Sequence, residues 1–286
     1  MQKVPDVQLE QIENIVIKAL QISFEIHDLL GKSGEEVIEK NQFGDTALKV
    51  DIEIENAIID FLKTTNLNLQ IISEEHGTIN VGSKADYLVI MDGLDGSGVY
   101  KKARNKGRYA TMFGIFDGSN PKYQDYLVCG IAEHRSKKIY LATRDKGARI
   151  IEKNVSKSIY SSKEKTISAE TQIRVDDFFP LNTKVFSEPL KKHGYEHEYN
   201  GSSAIYYADV SSGQADLALE CTRKNNLEIA IAYGLIHEAG GIMVNINGED
   251  LGPKLYREFG QKEHLSVITS ATAALAHDLI KLILKK

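Results

Sequence analysis

The sequence predicts an α+β protein, and three observations carry that prediction. Leu9, Ile12, Val16, Leu20, Phe24 and Leu30 recur at helical spacing, which predicts a long amphipathic helix over residues 8–30. Short apolar runs with β-branched residues, at 69–73 and 87–92, predict buried strands. Beyond residue 170, segments of strand and helix character alternate.

The other elements follow in order. Ile52, Ile54, Ala57, Ile58, Phe61 and Leu62 give a second helix ending near Lys63, with Asp51 expected as its N-cap. Residues 111–116, 126–134 and 137–143 read as antiparallel strands. The polar connection from Glu133 to Lys138 has the character of a hairpin loop. A short strand is expected at 149–152. Residues 153–169 are polar and show no apolar period, so they read as a link between halves at 1–155 and 156–286. Strands are then expected at 171–175, 184–187, 216–220, 242–246 and 265–269. Helices are expected at 202–212, 227–239 and 271–285.

A chain of 286 residues can bury one large core or two medium ones. Its 42% hydrophobic and 26% charged residues are ordinary for a soluble globular protein. A net charge of −5 argues against a general nucleic-acid binder, since phosphate backbones demand clustered Lys and Arg. The dense basic stretch Lys101 to Arg108 reads as a solvated loop, or as a segment that meets substrate or a partner subunit. Cys129 and Cys221 have no metal or disulfide spacing and read as small core residues. The first residues lack a signal-peptide pattern, and no apolar run approaches the roughly 20 residues of a membrane span. The expectation is a cytoplasmic protein.

The apolar run Tyr87 to Met91 leads straight into Asp92-Gly93-Leu94-Asp95-Gly96-Ser97. Two carboxylates at a strand's end are costly unless protons, cations or metal pair them. Gly93 and Gly96 let the backbone turn so that both carboxylates and a carbonyl face one point, as a hard divalent cation requires. An acidic turn capping the next helix is the alternative. A second acid pair, Glu74-Glu75, also follows an apolar segment, and a third acid, Asp51, opens a helix. Two successive strand ends that deliver acids to loops favour the metal.

Together these motifs resemble the lithium-sensitive, magnesium-dependent phosphatase superfamily. It includes inositol monophosphatases, archaeal-type fructose-1,6-bisphosphatases and nucleotide 3'-phosphatases. The match keeps family order from about Lys40 to Gly241. It takes in Gly44-Asp45-Thr46 through Asp51, then Glu74-Glu75, then Asp92 to Ser97. It continues with Gly201-Ser202-Ser203-Ala204, Gly213-Gln214-Ala215-Asp216 and Glu238-Ala239-Gly240-Gly241. The resemblance implies a layered α-β-α-β-α sandwich. Most metal ligands would lie in the N-terminal half, with substrate contacts and the last ligand in the C-terminal half. It implies hydrolysis of a small polyol or sugar phosphate, inositol monophosphate or fructose 1,6-bisphosphate, by water activated on two or three Mg²⁺. A 3'-phosphoadenosine 5'-phosphate phosphatase is an alternative, with Tyr100, Tyr206 and Tyr207 as base-stacking or core residues. A non-catalytic relative that binds a sugar phosphate or a protein partner is another. A homodimer is also implied.

The same resemblance assigns roles. Asp92 bridges two ions, Glu74 and the Leu94 carbonyl hold the first, and Asp95 holds the second. Glu75 lies just outside the ligands. Asp51 and Ser97 form a hydrogen-bonded pair that orients and deprotonates the water. Asp95, Gly96 and Ser97 face the substrate phosphate. Gly201, Ser202 and Ser203 touch substrate hydroxyls, or simply cap a helix. Glu220 matches an acid that bonds an inositol hydroxyl, and Arg223 and Lys224 suit a second phosphate or a sugar ring. The chain departs from the family at four places. Glu228, preceded by Leu227, stands where a Trp-Asp pair supplies the last ligand. Gly93 replaces a proline and is expected to loosen the turn. Ser97 replaces the more common Thr, and Val99 a usual Asn.

Overall fold

The computed structural model describes residues 5–40, 46–153, 155–223 and 226–284. Gly44, Asp45 and Lys224 of the expected motifs lie outside the described residues. The first half runs α1 (Asp6–Leu30), β1 (Val37–Lys40), β2 (Thr46–Leu48), α2 (Lys49–Lys63), β3 (Leu69–Ser73), β4 (Gly77–Val81), β5 (Tyr87–Asp95) and α3 (Ser97–Ala103). It continues with β6 (Ala110–Asp117), β7 (Tyr126–Glu133), β8 (Lys138–Thr143), β9 (Gly147–Glu152) and β10 (Val155–Ile159). The second half runs β11 (Ile173–Val175), α4 (Pro180–Asn182), α5 (Glu188–Lys192), α6 (Ser203–Ser211), β12 (Leu217–Cys221), α7 (Leu227–Glu238), β13 (Ile242–Asn245), β14 (Ser266–Ser270) and α8 (Ala273–Leu284). Among the described residues, no helix is long and apolar enough to cross a membrane.

Five layers result. α1 and α2 cover one face of an eight-stranded sheet of order β10-β9-β8-β7-β6-β5-β3-β4. α6 and α7 fill the space between that sheet and a four-stranded sheet of order β11-β12-β14-β13. α5 and α8 cover the far face of the small sheet. Three apolar cores occupy the gaps. Leu9, Ile12, Val16 and Leu20 of α1 are buried in the outer one, each contributing about 1.5–3 kcal/mol by leaving water. β5 is buried on both faces, with Leu88 and Ile90 in one core and Val89 and Met91 in another. That is why its sequence is a continuous apolar run rather than an alternation.

Three expectations are corrected. Residues 184–187 are not a strand but a π-helical turn (Thr183–Ser187) between α4 and α5. Pro180 opens the helix at its first turn, and Pro189 offers no N–H to the preceding turn, so the backbone widens there. The polar stretch after residue 152 is not all link, because β10 pairs antiparallel with β9 at the sheet edge. Its side chains are mostly exposed, so no apolar period marks it. Asp51 is not an N-cap. α2 begins two residues earlier, and the Asp51 carboxylate reaches back to the Leu48 N–H at 3.4 Å.

Candidate functional site

β5 delivers the central acids. Its pairing with β6 is regular to Asp92, opposite Met112, then slips so that Asp95 faces Ala110. The bulge bends the strand and re-aims its side chains. The Leu94 N–H donates to Oδ1 of Asp92 at 2.9 Å, and the Thr111 hydroxyl donates to the Gly93 carbonyl at 2.6 Å. Gly96 has φ +90°, and a Cβ there would lie 2.9 Å from the Ser202 Cβ and 3.0 Å from the Tyr109 Cβ. Only glycine fits that conformation and approach.

Glu228 enters from the first turn of α7. It, Asp92 and Asp95 offer carboxylate oxygens that all lie within 4.8 Å of one another, and all three residues are buried. The Glu228 carboxylate therefore reaches the two aspartates. Asp51 and Glu74 are buried close by. Burial, then the charges of Glu74, Asp95, Glu228 and Asp51, hold the Asp92 carboxyl well above its ordinary value. Burial and the charges of Glu74, Glu75 and Glu55 do the same for Asp51. Asp95 is also raised by burial, less so because Ser202, the Ala204 N–H and Arg223 favour its charged form. The donor set is hard carboxylate oxygen in a buried cluster of like charge. That fits Mg²⁺, which takes oxygen ligands and relieves the repulsion.

Residues 3–283 match the inositol monophosphatase family. The chain belongs to that family. The fructose-1,6-bisphosphatase/inositol-1-monophosphatase of Thermococcus kodakarensis is 27% identical, over 92% of this chain and 93% of that one. The bifunctional NADP phosphatase/NAD kinase of Methanococcus maripaludis is 24% identical, over 85% of this chain and 44% of that one. Among solved structures, the extragenic suppressor protein suhB from Bartonella henselae shares the fold with a TM-score of 0.78, at 15% identity, covering 96% of this chain and 98% of that one.

Within the family frame, several side chains sit differently from expectation. No hydrogen bond joins Asp51 to Ser97, because the Asp51 carboxylate turns back on its own helix. Ser97 is half-buried at the start of α3. The Ser202 hydroxyl donates to Oδ2 of Asp95, which also accepts the Ala204 N–H at 2.8 Å. Asp95 thereby fastens the start of α6 to the bulge. The Ser203 hydroxyl donates to Glu220 at 3.2 Å. Ser202 and Ser203 are both buried, so their hydroxyls hold protein carboxylates, and Gly201 precedes them half-buried. Glu220 is buried, and burial pushes its carboxyl up against the opposing pull of Arg223. Arg223 donates to Asp176 at 2.8 Å and lies 4.0 Å over the Phe179 ring. Glu75 is half-buried on the turn after β3. Tyr100, Tyr206 and Tyr207 are core residues, which removes them as a base-stacking surface.

Two features were not legible. Arg108, read as part of a solvated or substrate-facing run, donates to Glu133 and to Asp209 at 2.8 Å each. It thus ties β7 to α6. Glu55 is fully buried beside the acids. Its only sequence signal is an acid on the apolar face of α2, one turn after Asp51.

Proposed function

We propose that the protein is a Mg²⁺-dependent phosphomonoesterase acting on a small polyol or sugar phosphate, with inositol monophosphate and fructose 1,6-bisphosphate the leading substrates. The observation that carries this is the convergence of Asp92, Asp95 and Glu228 in a chain of the inositol monophosphatase family. In the reading, these three with Glu74 and the Leu94 carbonyl hold two or three ions. The ions supply charge neutralisation at the phosphoryl group and lower the pKa of the attacking water. Asp51 takes the water's proton, a role suited to a buried carboxylate beside the acid cluster. Ser97 orients the water, and Glu75 supports the first ligand from just outside. Gly96 lets the backbone meet the phosphate. Glu220 and Arg223 receive a substrate hydroxyl or a second phosphate, while Ser202 and Ser203 fix the position of Asp95 and Glu220. A homodimer completes the reading, supported by the family likeness, and sedimentation velocity tests it.

A nucleotide phosphatase is the second reading. It is favoured by the NADP phosphatase relative and by Phe178 and Tyr199, which stand exposed near Arg223 and the Phe179 ring it covers. Phosphate release from inositol 1-phosphate, fructose 1,6-bisphosphate, 3'-phosphoadenosine 5'-phosphate and NADP, with and without Mg²⁺, separates them. Metal-dependent turnover of the first two is expected. Silence across the panel from folded protein would favour a non-catalytic binding relative. Asp51→Asn is expected to lower turnover about 10²–10⁴-fold while Mg²⁺ binding by calorimetry largely persists. A joint loss of both would remove Asp51 as the base.

A further inference from the structure

Helix α2 places Glu55 one turn after Asp51 with none of its surface exposed. A carboxylate buried there is tolerated only if its oxygens are well bonded. Oε1 accepts the N–H of Glu74 at 3.2 Å and the N–H of Gly93 at 3.3 Å. Oε2 accepts the N–H of Glu75 at 3.1 Å and the Ser73 hydroxyl. A carboxylate has about four acceptor positions, so these donors fill it, and His76 Nε2 stands 4.0 Å from Oε2 beyond them. The donors come from two places. Ser73, Glu74 and Glu75 lie at the end of β3, and Gly93 lies in the bulge of β5. The two strands are parallel neighbours, with Ser73 opposite Met91. One carboxylate therefore clasps both acid-bearing strand ends.

Gly93 matches this clasp in two ways. A proline there has no N–H and would remove one of the four donors. A Cβ there would lie 2.7 Å from the Asp51 carbonyl oxygen and 2.9 Å from the Glu55 Cγ. Gly93 therefore lets the turn approach α2 closely and supplies a donor that a proline would lack.

We infer that Glu55 is a positioning residue that sets the spacing between Glu74 and the Asp92–Asp95 bulge, and that Gly93 is its matched partner in this chain. The inference rests on the metal-centre reading above. Glu55→Gln keeps the side-chain shape but turns an NH₂ toward N–H donors. It is expected to raise the Mn²⁺ half-saturation of the full chain by about tenfold or more, measured by electron paramagnetic resonance, as for other residues that orient metal ligands. The amides of Glu74, Glu75 and Gly93 are expected to exchange hydrogen faster together. A merely structural Glu55 would lower the melting temperature and leave the Mn²⁺ half-saturation of the folded protein unchanged, which overturns the proposal. Circular dichroism establishes folding, and Glu55→Asp provides a second, smaller perturbation should the amide variant not fold. Gly93→Pro is expected to weaken Mn²⁺ binding strongly alone and much less in a Glu55→Ala background; losses that simply multiply would overturn the pairing. If the unsubstituted protein binds no Mn²⁺, the metal reading fails instead, and the three amides still decide whether Glu55 holds both turns.

Discussion

Asp92→Asn is expected to lower Mg²⁺-dependent phosphate release about 10²–10³-fold or more and, at the same time, to stabilise the metal-free protein. Both effects have one cause. Asp92 is buried among Asp95, Glu228, Glu74 and Asp51, so its charge is unfavourable until a cation joins them. The amide keeps the acceptor for the Leu94 N–H and removes the cost of holding a carboxyl there, either ionised among like charges or protonated above its ordinary range. Functional sites that store repulsion gain about 0.5–2 kcal/mol when relieved in this way. Thermal melts in chelator, beside melts with excess Mg²⁺, measure it. The variant should melt higher than the unsubstituted protein in chelator and gain less from Mg²⁺. A variant that melts lower in chelator and still responds fully to Mg²⁺ would refute a repulsive metal centre.

The second large effect is on pH. Asp51, Asp92 and Asp95 have folded values above their ordinary 3.8, in each case chiefly by burial. The folded, metal-free state therefore holds protons that the unfolded chain has released. The associated stability is complete below the ordinary carboxylate range and is lost as pH rises through the raised values. Other groups act oppositely. Against burial, Thr143 and Arg149 hold Glu13, Lys137 holds Asp28 and Arg108 holds Glu133 below their ordinary values, so their contribution is present above that range and lost in acid. Burial holds His27 and His134 below 6.5, and they add stability as pH rises toward that value. As pH rises above about 7, where the histidines are already neutral, the raised carboxylates dominate, and the melting temperature in chelator should fall. Mg²⁺ binds the deprotonated cluster, so it should stabilise more at the upper end and flatten or reverse the slope. A melting temperature independent of pH in chelator over that window would contradict the charge state assigned to the cluster.

Much of the centre was legible because it depends on local sequence. Asp92 to Ser97 sits at the end of an apolar run, and no fold with a buried β5 could leave those acids unpaired without cost. Glu228 was reached by its distance from Glu238, and α7 carries both residues. The strands of the large sheet were legible because they are long and buried on both faces. β4 and β10 were missed because edge strands with exposed side chains carry no apolar period.

The sequence by itself determined a mixture of helices and strands through its periodicity, and the family through the spacing of its motifs, because both are properties of neighbouring residues. Only the tertiary structure decided which hydrogen bonds those residues make. Ser202 holds Asp95 across 107 positions, Arg108 reaches Asp209 across 101, and Glu55 reaches Gly93 across 38. The physical reason is that a buried polar group takes whichever partner the packing brings within about 3 Å, and sequence distance does not enter that choice.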